Sequence, residues 1–584
     1  MDAAATRCTI SAVQKAFNVI SILHLTSYAL PDNDNDNDFP KFDFVVVGGG
    51  TAGSVVSARL AEDKKTQVLL IEAGGDPPVE SSVPKLMLYL KNTTSDWNYT
   101  TEPGPYSSSC VKSVARPFVQ GKILGGTSGA NYLHYAQGHY RDYNTWAKIT
   151  NDETWRWENV LPYFIKAEKF DDVSVLCSQA AQYHGTEGPV GLMRDNRPII
   201  QNYLEAFQDM QKPIKDDLNA VDSVGYARDV YNIQDGHRQS SAFSFLSPAR
   251  HRSNLFVWKN ALVTKIVIED KTAVGVEVVK NIGDTEKTYS IRAIKEVIVS
   301  AGAINTPKLL MLSGIGPKEH LRSHGIPLIA NLPVGKNLQD HTAAIVVFNM
   351  TKLHENPQIF SFSDYPAFVF RGSVSLNKSD YPDYSTWNYI NFPNALLKYC
   401  SVSYDFQNSV CDDMLATSVN TQMLFSVVFG LHPRSRGKVL LRSPFYQDSP
   451  MIFTAAYLEK EDIDNQVKYV KDFIRVINSA YFQSVGAELK YPSLPKCNCK
   501  HKEDEEFWRC YILCMTTPQH HYCGTSAMGS VVDGRLRVMG VDRLRVVDAS
   551  IIPIIPSSGL LGPVITIAEK AADFIKSDGD CLNF

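Results

Sequence analysis

The chain has 584 residues, of which 44% are hydrophobic and 21% are charged. This length exceeds what one small core can use, so we expect two domains or one large, elaborated α/β unit. The formal net charge of −4 provides no basic field for phosphate backbones, which argues against a nucleic-acid-binding protein.

The N-terminal segment resembles a secretory leader. Arg7 and Lys15 precede an apolar stretch at residues 17–25, and residues 27–29 (Ser-Tyr-Ala) have the small-x-small pattern of a cleavage site. We therefore predict a signal peptide over residues 1–29 and a secreted protein. A disordered or mitochondrial-type arm on a soluble intracellular protein is the alternative. No later stretch reaches the roughly 18 apolar residues that a membrane-spanning helix needs.

A strand, a tight turn and a helix are predicted next. The β-branched apolar run at residues 44–47 stops at a glycine cluster, and residues 54–60 have helical spacing. In the turn, Gly48, Gly50 and Gly53 have the G-x-G-x-x-G spacing. The first glycine permits the turn, the second lets a pyrophosphate approach the backbone, and the third lets the helix pack on the strand.

The residues around this turn predict a dinucleotide site. Thr51 and Ala52, which precede the predicted helix, are predicted to bind the cofactor with the glycines, because the free N–H groups and the dipole of a helix N-terminus favour phosphate. A second buried strand, residues 68–71, ends at Glu72, about 20 residues on, where an acid can bond ribose hydroxyls. Glu72 also argues against a 2′-phosphate. The sequence therefore predicts an adenine dinucleotide, and a glycine-rich turn in an ordinary α/β sheet is the alternative.

Cysteine usage is compatible with an oxidising compartment. There are 11 cysteines, and removing Cys8 with the leader leaves an even number, which permits full pairing. Five cysteines crowd one region around His501: Cys497, Cys499, Cys510, Cys514 and Cys523. Their spacing does not match usual zinc-ligand patterns, so we predict disulfides and no metal site. If the chain is secreted, four asparagines begin glycosylation sequences: Asn92, Asn98, Asn349 and Asn377.

A second glycine-rich stretch, residues 120–131, reads Q-G-K-I-L-G-G-T-S-G-A-N. Gly125 and Gly126, followed by Thr127, let the backbone approach a flat ring system, and Asn131 can offer donors or acceptors beside it. With this stretch the chain resembles the glucose–methanol–choline (GMC) oxidoreductases, arthropod members above all, which bind FAD. Further stretches match the motifs of that family in its order: residues 302–316, 332–341, 534–538 and 544–550.

The resemblance implies a fold and a domain division. The fold would be α/β, with a Rossmann-like FAD-binding domain and an inserted, mostly antiparallel α+β substrate domain. The implied segments are the FAD-binding domain (42–192, 243–341 and 519–576), the substrate domain (193–242 and 342–518) and a tail (577–584). The polar, acidic residues before the first strand separately predict a linker at 30–41. The substrate segments are rich in aromatic residues, which suits a fairly large or apolar substrate, although core packing explains many of the rings.

Two further FAD contacts are implied by the resemblance. Asp548 ends a predicted strand at residues 538–548, and Val263 lies in a predicted strand at residues 262–268. For Val263, a core position is the alternative. The surrounding elements are a strand at 296–301, a helix that starts at Thr306-Pro307 and closes at Ser313-Gly314, and a helix at 563–575.

The predicted catalytic segment is residues 519–525. Oxidation of an alcohol needs a group that takes the hydroxyl proton while a hydride passes to flavin N5, and a neutral histidine suits this role. In the family, the catalytic histidine is followed by two residues and then by Gly-Thr, which selects His521 here, with His520 as a neighbouring pocket wall. A packed, hydrogen-bonded histidine is the alternative for both. A second His or Asn in the family would fall at Gly559, so Ser557, Ser558 or water would substitute, or oxidation is impaired.

Three functions follow from this pattern. The first is FAD-dependent oxidation of an alcohol, with a steroid (ecdysteroid-like) or aromatic substrate and with oxygen or a quinone as electron acceptor. The second is a hydroxynitrile lyase that keeps FAD without net redox chemistry. The third is a non-catalytic FAD-stabilised binding protein. Flavin bleaching by an alcohol without oxygen would select the first, cyanide release without bleaching the second, and neither signal the third.

Overall fold

The computed structural model describes residues 41–104, 110–113, 115–219, 221–282, 285–354, 368–391, 397, 399–415, 421–494, 497 and 504–581. The predicted signal peptide and nearly all of the acidic linker lie outside the described residues, as do Cys8, Cys499 and His501.

Two seven-stranded sheets dominate the described part of the chain. Their strands, in chain order, are β1 (Phe42–Val47), β2 (Val68–Ile71), β3 (Gly225–Arg228), β4 (Leu255–Trp258), β5 (Ala261–Glu269), β6 (Thr272–Ile282), β7 (Thr285–Val299), β8 (Thr342–His354), β9 (Phe368–Val374), β10 (Tyr384–Asn391), β11 (Thr421–Gly430), β12 (Ala487–Lys490), β13 (Thr516–Pro518) and β14 (Leu544–Val546). Shorter strands lie at Tyr99–Thr100, Pro117–Phe118, Glu168–Phe170, Val190–Arg194, Val230–Tyr231, Ile233–Gln234, His237–Arg238, Ile315–Gly316, Ala330–Asn331, Lys336–Leu338, Gly437–Leu440 and Met451–Phe453.

Helices surround both sheets. They are α1 (Thr51–Leu60), α2 (Val79–Ser82), α3 (Tyr140–Thr150), α4 (Trp157–Ala167), α5 (Val173–Leu176), α6 (Ile199–Asp209), α7 (Ser247–Ala249), α8 (Gly302–Leu312), α9 (Lys318–Ser323), α10 (Asn408–Leu415), α11 (Lys460–Ile474), α12 (Ala480–Ser484), α13 (Glu505–Cys514) and α14 (Leu561–Cys581). In the described ranges, none of them has the length and apolar character that crossing a membrane requires.

The first sheet is the predicted Rossmann-like unit. Its order is β4-β2-β1-β7-β6-β5, with β14 paired to β7. Strands β4, β2, β1, β7 and β14 are parallel neighbours, whereas β5, β6 and the first half of β7 are antiparallel. Val46 and Leu70 are fully buried, as expected for a parallel sheet covered on both faces. Helix α14 packs against α1 and α4, so the predicted α/β fold is confirmed.

The second sheet is antiparallel throughout. Its order is β12-β8-β11-β10-β9-β3, with β13 paired to β8. Helix α11 packs on β11, and α6 packs on β9. A second cluster of buried apolar side chains lies in this part of the molecule. The antiparallel pairing agrees with the predicted mostly antiparallel sheet. The exact domain boundaries stay a prediction.

The two points where the chain crosses between the sheets lie side by side. Strand β8 begins at Thr342, and β13 ends at Pro518, and these two residues are paired. The N–H of Gln519 donates to the carbonyl of His341 at 3.0 Å. The segments just outside β8 and β13 therefore run together, and this register brings residues far apart in the sequence to one place.

Two predicted helix starts were wrong. Helix α1 begins at Thr51 rather than at residue 54. Helix α8 begins at Gly302, with Pro307 inside it. Because proline has no N–H, the carbonyl of Ala303 loses its helical partner, and it accepts a hydrogen bond from the Thr525 hydroxyl at 2.6 Å instead. That replacement partner explains why the helix tolerates the proline.

The C-terminal segment also differs from the prediction. Only residues 544–546 of the predicted strand at 538–548 pair in the first sheet, because the preceding chain turns back and Val538 donates to the carbonyl of Leu544. Helix α14 runs from Leu561 to Cys581. It is therefore longer than the predicted helix and contains the first residues of the predicted tail.

Three disulfides are present in the described residues: Cys110–Cys514, Cys400–Cys411 and Cys497–Cys510. Disulfides are therefore confirmed for three cysteines of the crowded region. For Cys523 the prediction was wrong, because it is a buried free thiol. It belongs to the core of the first sheet, whereas Cys497 and Cys514 belong to the core of the second. The exposed Cys177 is also free.

The long-range disulfide predicts a stability effect. Cys110 and Cys514 are separated by 404 positions in the sequence, so the bond restricts a very large loop in the unfolded chain. Replacing both by Ser should lower the free energy of unfolding by about 2–4 kcal/mol, measured by urea titration of the purified protein. Cys177→Ser is the matched control and should leave the unfolding midpoint unchanged. Equal midpoints for all proteins would refute the assigned contribution.

The predicted glycosylation sites differ in exposure. Asn92, Asn98 and Asn377 are exposed or partly exposed and stay predicted acceptors. Asn349 lies inside β8 and is buried, and its side-chain oxygen accepts a hydrogen bond from the Thr421 hydroxyl at 2.5 Å. A glycan on Asn349 would not fit this buried position in the folded chain.

Candidate active site

A cavity of about 530 Å³ extends from the glycine turn after β1 to His521. Almost all predicted site residues line it: Gly48, Gly50, Thr51, Ala52, Glu72, Gly126, Thr127, Asn131, Val263, Asp548, His520 and His521. Gly53 and Gly125 do not line the cavity, but each is next to backbone that does: Ala52 precedes Gly53, and Gly126 follows Gly125. The tertiary structure thus brings both glycine-rich stretches and both histidines to one cavity.

The three glycines of the first turn have different surroundings. Gly48 has a φ of +98°, and a Cβ there would lie 2.5 Å from the carbonyl oxygen of Ser300. A Cβ on Gly53 would lie 1.9 Å from the carbonyl oxygen of Gly48. Among the described residues, a Cβ on Gly50 would meet only the Cα of Gly126, at 3.8 Å. Gly48 and Gly53 are therefore required by the fold, whereas the space above Gly50 is open to a ligand.

The second glycine stretch closes over the first. The N–H of Gly125 donates to the carbonyl of Gly49 at 2.7 Å. Gly126 has a φ of +53°, and a Cβ there would lie 2.6 Å from the Cα of Gly50. Two backbone segments without side chains therefore meet at one wall of the cavity, which suits the close approach of a large flat ligand.

Glu72 and the start of α1 form the dinucleotide end of the cavity. The carboxylate of Glu72 accepts the N–H groups of Gly49 and Gly74, each at 2.7 Å. Burial raises the pKa of Glu72 to about 7, against the lowering effect of these two bonds. Gly50 is the N-cap of α1, and Thr51 and Ala52 follow it along the cavity wall. The first N–H groups of a helix lack partners within it and can hold a phosphate.

Asn131 is held by a residue that the sequence did not reveal. Its side-chain oxygen accepts from the N–H of Leu133 at 3.2 Å and from the guanidinium of Arg238. Arg238 is buried, and it also donates to the carbonyl of Ser81 at 2.6 Å. Burial lowers the pKa of Arg238 to about 9. With its oxygen engaged, Asn131 retains its amide N–H groups for a ligand.

Asp548 has a clear structural role. One of its carboxylate oxygens accepts from the N–H of Gly302 at 2.8 Å and from the hydroxyl of Thr306 at 2.6 Å, and the other accepts from the N–H of Ser550. It therefore ties the start of α8 to the C-terminal segment. Val263, on β5, lines the cavity but is also largely buried in the core, so both predicted roles of this valine stay open.

The cavity contains unsatisfied polar groups. The side-chain nitrogen of Asn305 and the hydroxyl of Ser300 are buried and have no hydrogen-bond partner among the described residues, and both residues line the cavity. Buried polar groups normally find partners. Together with the bare glycine wall and the helix start, they fit a long polar ligand such as FAD.

Asp340 fixes the backbone that presents the two histidines. Its carboxylate accepts from the N–H of His521 at 2.7 Å and from the N–H of Gln519 at 3.2 Å. Burial raises the pKa of Asp340 to about 8, although its bonds to backbone N–H groups oppose this. His520 has a φ of +60°, a conformation that costs a non-glycine residue about 1–3 kcal/mol when the surroundings enforce it.

A hydrogen-bonded chain determines which nitrogen His521 presents. Nδ1 of His521 lies 2.9 Å from Nδ1 of His341, and Nε2 of His341 lies 3.2 Å from the carbonyl oxygen of Leu431. A carbonyl only accepts, so a neutral His341 carries its proton on Nε2 and accepts through Nδ1. His521 must then donate through Nδ1. Its Nε2 consequently has a free lone pair.

Burial keeps these histidines neutral. It lowers the pKa of His341 to about 3 and the pKa of His520 to about 3. Burial also lowers the pKa of His521 well below its usual range, and neighbouring His341, His520 and His134 add to the effect. A neutral imidazole with a free lone pair is able to accept a proton.

Aromatic side chains of the second sheet surround His521. The ring of Trp387, on β10, lies 5.5 Å from the ring of His521, and that of Phe429, on β11, lies 6.3 Å away. His134 stacks on Trp387 at 4.3 Å, and its Nδ1 lies 2.5 Å from the carboxylate of Asp229. The sequence did not single out Trp387, His134 or Asp229. His341 stood at the end of the matched stretch 332–341, which was the available signal.

Gly559 lies directly against the catalytic candidate. A Cβ on Gly559 would lie 3.4 Å from Nε2 of His521. The position where a second His or Asn of the family is predicted to fall is therefore next to His521. The hydroxyl of Ser557 donates to Asp142 at 2.9 Å, and the hydroxyl of Ser558 donates to the carbonyl of Gly559 at 2.9 Å. Both serine protons are thus engaged elsewhere.

Comparisons with known proteins agree with this architecture. The family models described as GMC oxidoreductase match residues 42–343 and residues 433–568. Ecdysone oxidase from Bombyx mori is 36% identical over 560 residues, which cover 92% of this chain and 82% of that protein. The glucose dehydrogenase [FAD, quinone] of Drosophila melanogaster is 34% identical, with 92% of this chain and 87% of that protein covered.

Solved structures give the same result. Pyridoxine 4-oxidase from Mesorbium loti superposes with a TM-score of 0.78 and 26% identity, covering 91% of this chain and 99% of that chain. A variant of Aspergillus oryzae formate oxidase, studied for FAD modification, superposes with a TM-score of 0.78 and 27% identity, covering 93% and 99%. The chain belongs to the GMC oxidoreductase family, and it is an FAD-dependent enzyme that oxidises alcohol groups.

Proposed function

We propose that this enzyme oxidises a hydroxyl group of an ecdysteroid-like steroid or of an aromatic alcohol, and that His521 is the base. The observation that carries the proposal is the chain from His521 through His341 to Leu431, because it leaves Nε2 of His521 unprotonated. FAD, when bound, supplies the acceptor for the hydride that leaves the alcohol carbon. Nε2 of His521 takes the hydroxyl proton, so the alcohol loses a proton and a hydride and becomes a carbonyl.

His341 acts as a positioning residue in this proposal. It accepts from Nδ1 of His521 and thereby stabilises the imidazolium that forms when Nε2 takes the proton. We expect His341→Leu to slow anaerobic flavin reduction by about tenfold or more, because an orienting acceptor is lost. His341→Asn, which can restore an acceptor oxygen, should recover part of the rate. Equal losses in both variants, with unchanged KM, would contradict the positioning role.

The substrate class is supported by the cavity walls. Trp387, Tyr132 and Leu90 line the same cavity as His521, and aromatic walls favour large apolar or aromatic ligands. The similarity to ecdysone oxidase supports a steroid alcohol. We infer that oxygen or a quinone takes the electrons onward. We also infer secretion, which the three disulfides support because such bonds persist in oxidising compartments.

The test is anaerobic reduction of the bound flavin by candidate substrates. Ecdysteroids, aromatic alcohols, sugars and cyanohydrins are added to the purified holoenzyme, and flavin absorbance is followed. Bleaching by a steroid or aromatic alcohol at low concentration supports the proposal, and preferential bleaching by a sugar would overturn the substrate class. Cyanide release without bleaching would indicate the lyase, which the relatives named above do not support. No signal with any compound would indicate a binding protein.

The environment of His521 predicts an unusual pH dependence. Burial lowers the pKa of His521 well below its usual range, and the neutral, proton-accepting form persists at every pH above that pKa. Protonation of His521 should therefore not slow flavin reduction as the pH falls from about 8 to about 5.5, whereas protonation of a base with the ordinary histidine pKa of about 6.5 would slow it about tenfold. Burial raises the pKa of Asp340 to about 8 and that of Glu72 to about 7, so a change of rate smaller than tenfold is assigned to these carboxyls. Stopped-flow absorbance across this range measures it. A decline centred near pH 6.5 would refute the expectation.

A further inference from the structure

A small polar side chamber adjoins the main cavity behind Gly559. Its volume is about 20 Å³. Gly559, His134 and Trp387 line both the chamber and the main cavity. Apart from its chain neighbours, a Cβ on Gly559 would come within 4 Å of His521 alone among the described residues. His521 lines the main cavity and Gly559 lines both spaces, so Gly559 lies between His521 and the chamber without a side chain.

The chamber wall is rich in hydrogen-bonding groups. They come from His139, Ser223, Arg371, Ser373, Ser557 and Ser558. Arg371 is largely buried, and one of its N–H groups donates to the side chain of Asn219 at 3.4 Å. A guanidinium has five N–H donors, so this bond leaves others. Asp142 accepts from the backbone and the hydroxyl of Ser557, at 2.8 and 2.9 Å, and so fixes that part of the wall.

His139 supplies an unpartnered donor. Its side chain is almost fully buried, and its Nδ1 accepts from the N–H of Arg141 at 3.3 Å. Burial lowers the pKa of His139, although Asp142 and Asp380 oppose the shift, so the ring is neutral at ordinary pH. A neutral ring that accepts through Nδ1 carries its proton on Nε2. That Nε2 is buried, and no described group meets hydrogen-bond geometry with it. The backbone of Asp380 is near enough to raise the pKa of the ring, but it does not complete such a bond.

Size and chemistry together identify the occupant. A cavity needs roughly 10–15 Å³ to hold one water, and a buried water needs two to four polar partners. The chamber has room for one oxygen. Its wall offers an imidazole N–H and guanidinium N–H groups as donors, and serine oxygens as acceptors. An oxygen that both donates and accepts satisfies these groups, whereas an apolar group would leave them unpaired.

We propose that the side chamber binds the oxygen of one O–H group. This oxygen forms a hydrogen bond with the reacting oxygen beside His521, in place of the side chain that is missing at Gly559. The oxygen comes either from an ordered water or from a second hydroxyl group of the substrate. This inference rests on the proposed role of His521. It explains how a glycine at residue 559 is compatible with alcohol oxidation.

The first test is structural and does not depend on turnover. A crystal structure of the FAD-loaded enzyme, with and without a bound diol, is inspected for one oxygen within hydrogen-bond distance of Nε2 of His139 and a nitrogen of Arg371. An oxygen present without diol supports the water, and one that appears only with diol supports the substrate hydroxyl. A dry chamber in both crystals would overturn the proposal, even if the enzyme oxidises alcohols. Conversely, if no alcohol bleaches the flavin but the crystals show the oxygen, the proposed function is overturned and the oxygen site in the chamber is not.

The second test fills the chamber from its far side. Ser373 lies on β9 and lines the chamber but not the main cavity. Ser373→Val should occupy the space and slow anaerobic flavin reduction by about tenfold or more, since a bond to a charged or developing-charge group is lost. A water source predicts the same loss for an alcohol and its matching diol. A substrate hydroxyl predicts a loss for the diol alone, through a higher KM.

Two further variants keep the result interpretable. Val374→Ile changes the next residue of β9, which lines neither cavity, and should leave the rates unchanged. Ser223→Val changes another residue that lines the chamber but not the main cavity and should reproduce the loss if Ser373→Val fails to fold. Unchanged rates in every folded variant with normal flavin content would overturn the proposal.

Discussion

His521→Gln is expected to slow anaerobic flavin reduction by about 10²-fold or more, the usual contribution of a positioned general base. Nε2 is the ring nitrogen of His521 that the bond between Nδ1 and His341 leaves available to a substrate. Glutamine occupies similar space but cannot take a proton near neutral pH. Flavin content and cavity shape should therefore persist while the proton-transfer step is lost.

The control for this substitution is His520→Gln. His520 also lines the cavity, but one of its ring nitrogens lies 3.2 Å from the hydroxyl of Tyr522, and its backbone is left-handed. We expect a much smaller loss of rate from this variant. Stopped-flow absorbance of the flavin at saturating substrate gives the comparison. If His521→Gln kept its rate and His520→Gln lost it, the base would be His520.

Gly50→Leu is expected to give a folded protein that purifies nearly free of flavin. The φ and ψ of Gly50 are −76° and −157°, so its φ is negative and not confined to glycine. Among the described residues, a Cβ on Gly50 would have only the Cα of Gly126 within 4 Å. A leucine can therefore be accommodated on this backbone. Its side chain would occupy the open space where the backbone is meant to approach the pyrophosphate.

Two measurements separate loss of cofactor from loss of fold. Flavin absorbance relative to protein reports FAD content, and circular dichroism reports the fold. Gly104→Leu is the matched control, because no described atom lies within 4 Å of a Cβ there, and it should keep full flavin content. Gly53→Ala should instead damage folding, since its Cβ would lie 1.9 Å from a carbonyl oxygen. Normal flavin content in Gly50→Leu would refute the assigned phosphate site.

Much of this site was predictable because its parts are local in the sequence. The spacing of Gly48, Gly50 and Gly53 dictates a turn between strand and helix, whatever the rest of the chain does. The distance from that turn to Glu72 follows from the length of one helix and one strand. His521 was found by its distance from Gly524-Thr525, and this assignment stays a prediction until the substitution is tested.

The sequence by itself determined the α/β class, the glycine turn and the acid after the second strand, because backbone geometry over a few residues controls each of them. Only the tertiary structure decided that His341 contacts His521, since the two are 180 residues apart and meet through the pairing of Thr342 with Pro518. It also decided which cysteines pair, that Asn349 is buried, and that a polar chamber lies behind Gly559. These features depend on the register between distant strands, which no local pattern of residues encodes.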